Sequence, residues 1–264
     1  MPAAAHLALF ALWAAGAPAM AQPLEPEQAG LLEKARESAL RYSASLPDFI
    51  CTEVVQRSQD PQGNGRWRSL DTLTVKLSYS GHKEDYKLVE INGKPTALDY
   101  LSAGGALSTG EFGTRLFSIF DPRSRGEFHW KGWTTLHKRR VARFSYRIAR
   151  ERSIYLIQFG TVPASANSIV VAYHGEVYVD GETHMALRLT QQAEIPQDFP
   201  IQANESTVDY DFAAVGGRQY LLPSHAYTRT KSGKYVAENN IEFRQYRKFQ
   251  TEANITFDPP PDKL

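Results

Sequence analysis

Gly175-Glu-Val-Tyr-Val-Asp180-Gly-Glu-Thr-His-Met-Ala-Leu-Arg-Leu189 reads as strand, turn, strand. Beyond Asp180-Gly181, the residues Met185, Leu187 and Leu189 alternate with Ala186, Arg188 and Thr190. That is the period of a strand with one buried face and one wet face. Asp-Gly supplies the positive φ that a tight hairpin turn needs. With a two-residue loop at Gly181-Glu182, His184 would face Val179 and His174 would face Leu189.

The same period spreads outward in both directions. Leu73, Val75, Leu77 and Tyr79 share one parity, as do Ala142, Phe144, Tyr146 and Ile148. Val208, Tyr210 and Phe212 follow, then Ala237, Asn239, Ile241 and Phe243. Asn92-Gly93, Gly216-Gly217 and Ser232-Gly233 fall between alternating runs, where hairpins turn. These signals predict roughly nine or ten strands, several longer than the usual five or six residues. Long strands joined by tight turns twist into a curved sheet.

Two segments break the period. Over 27–45, Leu31, Leu32, Ala35, Ala39, Leu40 and Tyr42 recur near 3.6 residues, with Pro26 at the first turn and Pro47 past the end. In the middle of the chain, Tyr100 to Gly110 is small and glycine-rich, and Glu111 to Phe120 is apolar. Ser108 or Thr109 would cap a short helix there, and Asp121-Pro122 would stop it. The expected fold is mainly β (α+β). A single highly curved antiparallel sheet forms an unclosed β-barrel, with helix 27–45 in or against its concave side and a short mid-chain helix.

The first residues set the expected compartment. Met1 to Leu24 carry no Asp, Glu, Lys or Arg, and a short apolar run leads to Ala19-Met20-Ala21. This is the pattern of a cleaved signal peptide over 1–21. The run is broken by Gly16 and Pro18 and falls short of the roughly 20 apolar residues of a spanning helix. Gln22 follows the cleavage point, so no cysteine stands there for lipid attachment. We expect an exported, soluble protein, periplasmic or secreted, with no transmembrane segment after cleavage. Residues 22–258 form the expected single domain and 259–264, Pro259-Pro-Pro261 included, a frayed tail. Cys51 is the one cysteine, which excludes an internal disulfide, and it reads as a small buried hydrophobe. A net charge of +1 argues against nucleic acid as a partner.

No catalytic constellation emerges. Gly-x-Ser-x-Gly, Gly-x-x-x-x-Gly-Lys-Ser/Thr and His-Glu-x-x-His are absent from the sequence. Asp60, Gln62, Asn64, Gly65 and Asp71 echo a calcium loop, but Gln62 is neutral and Asp71 is shorter than the closing Glu of such loops. They read as an exposed hairpin loop. The histidines lack metal-ligand spacing. Asp209 and Asp211 share a strand face that reads as solvated rather than as paired catalytic carboxylates. No enzyme activity, cofactor or metal is expected.

Two surfaces remain. Phe112, Leu116, Phe117 and Phe120 would line one face of the short helix, and Phe128, Trp130 and Trp133 follow in a strand. Trp130 and Trp133 have opposite parity, so only one faces inward unless a bulge intervenes, and Trp130 shares the parity of Phe128. The candidate ligand site is Phe112, Leu116, Phe117, Phe120, Trp130 and Trp133, with Gly104-Gly105 as the hinge of a lid. The alternative is that these residues seal the core. The second surface is basic. Lys138, Arg139 and Arg140 precede Arg143 and Arg147, which share a wet face, and could meet an anionic membrane or partner. Carboxylates on a neighbouring strand are the competing explanation.

A leader, one amphipathic helix and a long meander of curved antiparallel strands resemble the periplasmic lipoprotein-carrier superfamily of the LolA/LolB type. The local match is Gly175 to Leu189, with Asp180 at the hairpin, Glu182-Thr183 after it and Arg188 ending the strand. The resemblance implies an unclosed barrel covered by helices, with acyl chains held in the hollow. The expected function is therefore an exported, non-catalytic envelope protein binding or carrying an apolar or acyl ligand. The alternative is a structural or protein-interaction module of the envelope with a filled core and no ligand.

Overall fold

A computed structural model describes residues 23–81, 83–107, 110–159 and 168–249. The expected signal peptide and the 259–264 tail, like Ser108 and Thr109, lie outside the described residues. The chain runs α1 (Pro26–Ser45), β1 (Phe49–Asp60), β2 (Arg68–Ser80), β3 (Lys83–Ile91), β4 (Lys94–Pro95), α2 (Thr114–Phe120), β5 (Glu127–Leu136) and β6 (Arg139–Ile148). It continues through β7 (Leu156–Gln158), β8 (Ser168–Val170), β9 (Ala172–Asp180), β10 (Ala186–Glu194), β11 (Ala203–Val215), β12 (Arg218–Ser232) and β13 (Tyr235–Lys248). Among the described residues, eleven strands form one antiparallel sheet, and β7 and β8 pair separately. The order is β4-β3-β2-β1-β13-β12-β11-β10-β9-β6-β5, so β1 pairs with β13 while β4 and β5 remain edges. The sheet is open, as expected, with one more strand than the largest count predicted.

Its inner face follows the period-two reading. Leu73, Val75, Leu77, Tyr79, Ala142, Phe144, Tyr146 and Ile148 are all buried. Opposite them lies α1, which buries Leu32, Ala35, Ala39 and Tyr42 in the same core. Pro26 stands in its first turn, and Gln28 Oε1 accepts the Glu25 N–H at 3.1 Å. Tyr42 reaches furthest. Its hydroxyl donates to Leu221 O at 2.9 Å, and its ring meets Tyr210 edge-on at 6.0 Å. That bond has a structural cause. β12 pairs with β13 only from Ser232 back to His225, so the start of β12 is unpaired on that side. Pro223, with no N–H for a ladder, lies in this stretch, and Tyr246 donates to its carbonyl at 2.5 Å. Tyrosine hydroxyls thus satisfy carbonyls that a strand would otherwise cover.

Three local expectations are corrected. The 180–185 turn is not a two-residue loop: β9 ends at Asp180 and β10 starts at Ala186, so His174 pairs with Gln192. The cause is Asp180, whose Oδ1 accepts from Glu182 N, Thr183 N and Thr183 Oγ1 and closes a wider loop. Burial works to raise the Asp180 carboxyl, but Arg139 and those loop donors outweigh it and hold the group far below its ordinary range. Phe212 is 41% exposed although its parity mates Val208 and Tyr210 are buried. The pairing of β11 with β12 shifts between Asp209 and Tyr210, ahead of it. The short helix starts at Thr114 rather than Glu111, because Gly113 at φ +124° is outside helical space. Phe112 therefore precedes the helix.

The core leaves no room for a side chain at Gly175, where a Cβ would stand 1.9 Å from Thr190 O and 2.9 Å from Tyr146 Oη. Gly175→Ala should destabilise the fold by about 3 kcal/mol, since the obstacle is backbone. Gly30→Ala, in helix α1 with nothing within 4 Å, should stabilise it by about 0.5–1 kcal/mol. Thermal denaturation of the two variants checks both signs, and equal melting temperatures would contradict the packing described.

Candidate functional site

The sheet's inner face is largely filled, and a groove opens at one end. It lies between the β2–β3 hairpin, the 3₁₀ turn Tyr100–Ala103 and the approach to α2, and holds about 790 Å³. Tyr79, Tyr86, Tyr100, Leu101, Phe112 and Phe117 supply its apolar wall. Lys83, Glu84, Asp85 and Asp99 supply charge.

The strands set these positions. Along β3, Glu84, Tyr86 and Leu88 share the inward parity, and Tyr86 stacks on Tyr100 at 5.4 Å with 11° between planes. Tyr100 is placed by Asp99, whose Oδ1 caps the 3₁₀ turn through Leu101 N at 2.9 Å. Glu84 draws the segment before α2 onto the sheet. It accepts Gly110 N–H at 3.0 Å, Phe112 N–H at 3.2 Å and the Tyr86 hydroxyl. Phe112 then packs among Phe49, at 5.2 Å, and Phe243, at 5.4 Å.

The glycine loop before this segment is tied down twice. Arg57, buried on β1, forms a paired bridge to Asp71 with both contacts at 2.6 Å and donates to Gly104 O. Asn239 Nδ2 donates to Ala106 O at 2.7 Å. Gly104 and Gly105 take φ of +66° and +74°, which explains the glycines by conformation. Asp71 is thereby engaged with Arg57, and Asp60 closes its own loop through Gln62 N and Gly65 N. Both carboxylates of the calcium-like pattern are accounted for as loop and strand contacts.

Behind the groove the interior is polar. Glu111 is buried and pairs with Arg115 at 3.1 Å, and Arg115 donates to Ser206 Oγ at 2.6 Å. Glu53 is 2% exposed, and its Oε2 has no hydrogen-bond partner. Burial pushes the Glu53 carboxyl well above its ordinary value, and the charges of Glu111 and Glu84 add to the rise. Glu84 is also raised by burial and by Glu111, against the pull of its three donors.

The six residues of the expected ligand site are spread over the approach to α2, α2 itself and β5. Leu116 and Phe120 are buried on α2, and Phe120 stacks on Phe128 at 5.4 Å. Phe112 and Phe117 line the groove, with Phe117 37% exposed. Trp130 and Trp133 meet each other at 5.5 Å at the β5 edge. A register shift between Trp130 and Gly132 sets them opposite Phe144 and Ala142, two residues of one face. The bulge left open by parity is there, so Trp133 joins that face while remaining 38% exposed under the Arg140 guanidinium, 3.9 Å from its ring.

The basic face is paired across strands. Arg139 bonds Asp180 at 2.5 Å, Arg147 bonds Glu194 at 2.7 Å and Arg143 stands 3.9 Å from Glu176. Arg139 and Arg140 belong to β6, while Lys138, at φ +63°, sits in the turn. Asp209, read as solvated, is 8% exposed and paired by Arg188 through a contact at 2.7 Å. The sequence does not single out Glu84, Tyr86 or Tyr100, nor Glu53, although the parity of Glu53 with Phe49, Cys51 and Val55 marks it as inward-facing.

No family model matches the chain, and no curated protein does. Solved structures that resemble it include a LolA superfamily protein from Nitrosomonas europaea, at 9% identity and TM-score 0.36, covering 84% of this chain and 93% of that one. A putative outer membrane lipoprotein-sorting protein domain from Vibrio parahaemolyticus aligns at 10% identity and TM-score 0.38, over 84% and 92% of the two chains. The lipoprotein LppX of Mycobacterium tuberculosis aligns at 11% identity and TM-score 0.29, over 83% and 95%.

The environment of Glu53 has a pH signature. In the folded chain it keeps a proton that the unfolded chain releases near its ordinary value of 4.5. Wild-type stability should therefore fall as pH rises from 4.5 toward the folded value. Glu53→Gln removes that slope. Urea denaturation should give a difference, variant minus wild type, that grows as pH rises above 4.5, and a constant difference would contradict the burial of an ionisable Glu53.

Proposed function

We propose that this chain is an exported, non-catalytic envelope protein that binds an apolar or acyl ligand in the groove between β3, the Tyr100–Ala103 turn and α2. The observation that carries the reading is the groove itself. Its volume of about 790 Å³ falls within the roughly 300–1,000 Å³ of small-molecule sites, and five of its thirteen lining residues are aromatic. The export half of the reading rests on the 1–21 leader pattern.

Of the six expected residues, this groove is lined by Phe112 and Phe117. Leu116 and Phe120 fill the core beneath α1, so a ligand would meet the outer side of α2, where Phe117 stands. Among the described residues no helix is long and apolar enough to cross a membrane.

Phe117 and Phe120 separate a groove from a core. Phe117→Ala should cost under about 2 kcal/mol, because the ring is partly exposed, and should lower the affinity for a fluorescent fatty-acyl probe about tenfold. Phe120→Ala, at a fully buried site, should cost about 3–5 kcal/mol. Probe titration and chemical denaturation of both variants read this out. A wild type that takes up no apolar probe would return the chain to the alternative of a structural envelope module.

A further inference from the structure

We propose that the groove selects an amphiphile with a cationic head of the ammonium class, its apolar tail lying along Leu101, Phe112 and Phe117. This rests on the reading that the groove holds an apolar ligand. Three carboxylates, Glu84, Asp85 and Asp99, line the groove against one ammonium, Lys83. Tyr79, Tyr86 and Tyr100 stand among them, and ring faces attract cations through their quadrupole. Aromatic walls beside carboxylates are the chemistry that receives a substituted ammonium, which is too weakly hydrated to prefer water strongly.

The donors that an anionic head would need are already in use. Gly110 N–H and Phe112 N–H both donate to Glu84. The nearby guanidinium of Arg115 donates to Glu111 and Ser206. Arg57, behind the 3₁₀ turn, is held by Asp71 and the loop carbonyls. A carboxylate or phosphate entering the groove would face Glu84, Asp85 and Asp99 with only Lys83 to offset them. Arg115 behind the wall adds no net positive charge, since Glu111 neutralises it. A cationic head meets the opposite field.

The test compares three amphiphiles with the same dodecyl tail, each below its micelle-forming concentration: dodecyltrimethylammonium, dodecyl maltoside and dodecanoate. Calorimetric titration should give the ammonium compound about tenfold tighter than the maltoside, with dodecanoate weakest. Added salt should weaken the ammonium compound and leave the maltoside unchanged. Asp85→Asn with Asp99→Asn should reduce the preference to about twofold. The amide introduced at position 99 keeps an oxygen to cap the 3₁₀ turn, so circular dichroism should match wild type. Equal affinities, tighter dodecanoate, or a preference unchanged in the double variant would overturn the cationic assignment and leave the groove reading standing. Failure of all three to bind would remove the groove reading and this inference together.

Discussion

A broad open sheet with one apolar face must have that face covered by other elements of the chain, and the architecture follows from that constraint. The inner face carries Leu73, Val75 and Leu77, their counterparts Phe144 and Val177 on other strands, and the tyrosines Tyr146 and Tyr210, all buried. Helices α1 and α2 supply the cover. Helix α1 contributes small side chains, Ala35 and Ala39, where it lies close, and Tyr42 where it reaches across. Helix α2 contributes Leu116, Ile119 and Phe120. Together they cover much of the concavity, and a groove opens where they stop, between β3 and the approach to α2.

The same end of the molecule holds several buried charges. Isolated charges are costly inside a protein, and here they are paired or tied to backbone. Arg57 binds Asp71 and the glycine loop, Arg115 binds Glu111, and Glu84 takes two amides and a hydroxyl. These ties join strands to the glycine loop and to the residues just before α2. The apolar core positions the helices, whereas these polar ties position the groove wall. Glu53 is the exception, with one oxygen left without a partner. Its raised proton affinity follows from that burial, beside Glu111 and Glu84.

The outer face is built differently. Arg139 and Arg188 each reach a carboxylate on a neighbouring strand, and Arg147 reaches across β9 to Glu194 on β10, so these arginines are neutralised locally. Exposed pairs of this kind contribute little to stability, about 0–1 kcal/mol each. They do set register, because a one-residue slip would move every arginine to the wrong face. The Asp180 loop performs that task at the β9–β10 turn, where a carboxylate closes the loop and also receives Arg139.

The antiparallel sheet, its inward parities and α1 are legible from the residues alone, because each depends on neighbours two to four positions apart. Leu73 to Tyr79 and Ala142 to Ile148 can be assigned to the buried face without knowing what buries them. Glu53 is equally readable by parity, but a glutamate in an apolar alternation has meaning only once Glu84 and Glu111 stand beside it. The location of the groove, by contrast, is a product of the folded chain. Tyr86 and Tyr100 come from different elements and stack through a turn capped by Asp99, while Glu84 meets Gly110 and Phe112 across the chain. Folding also turns Trp133 inward, since a bulge at Gly132 resets parity, and separates β12 from β13 before His225. Such contacts join residues distant in sequence, and no local period records which distant strand or loop will arrive to make them.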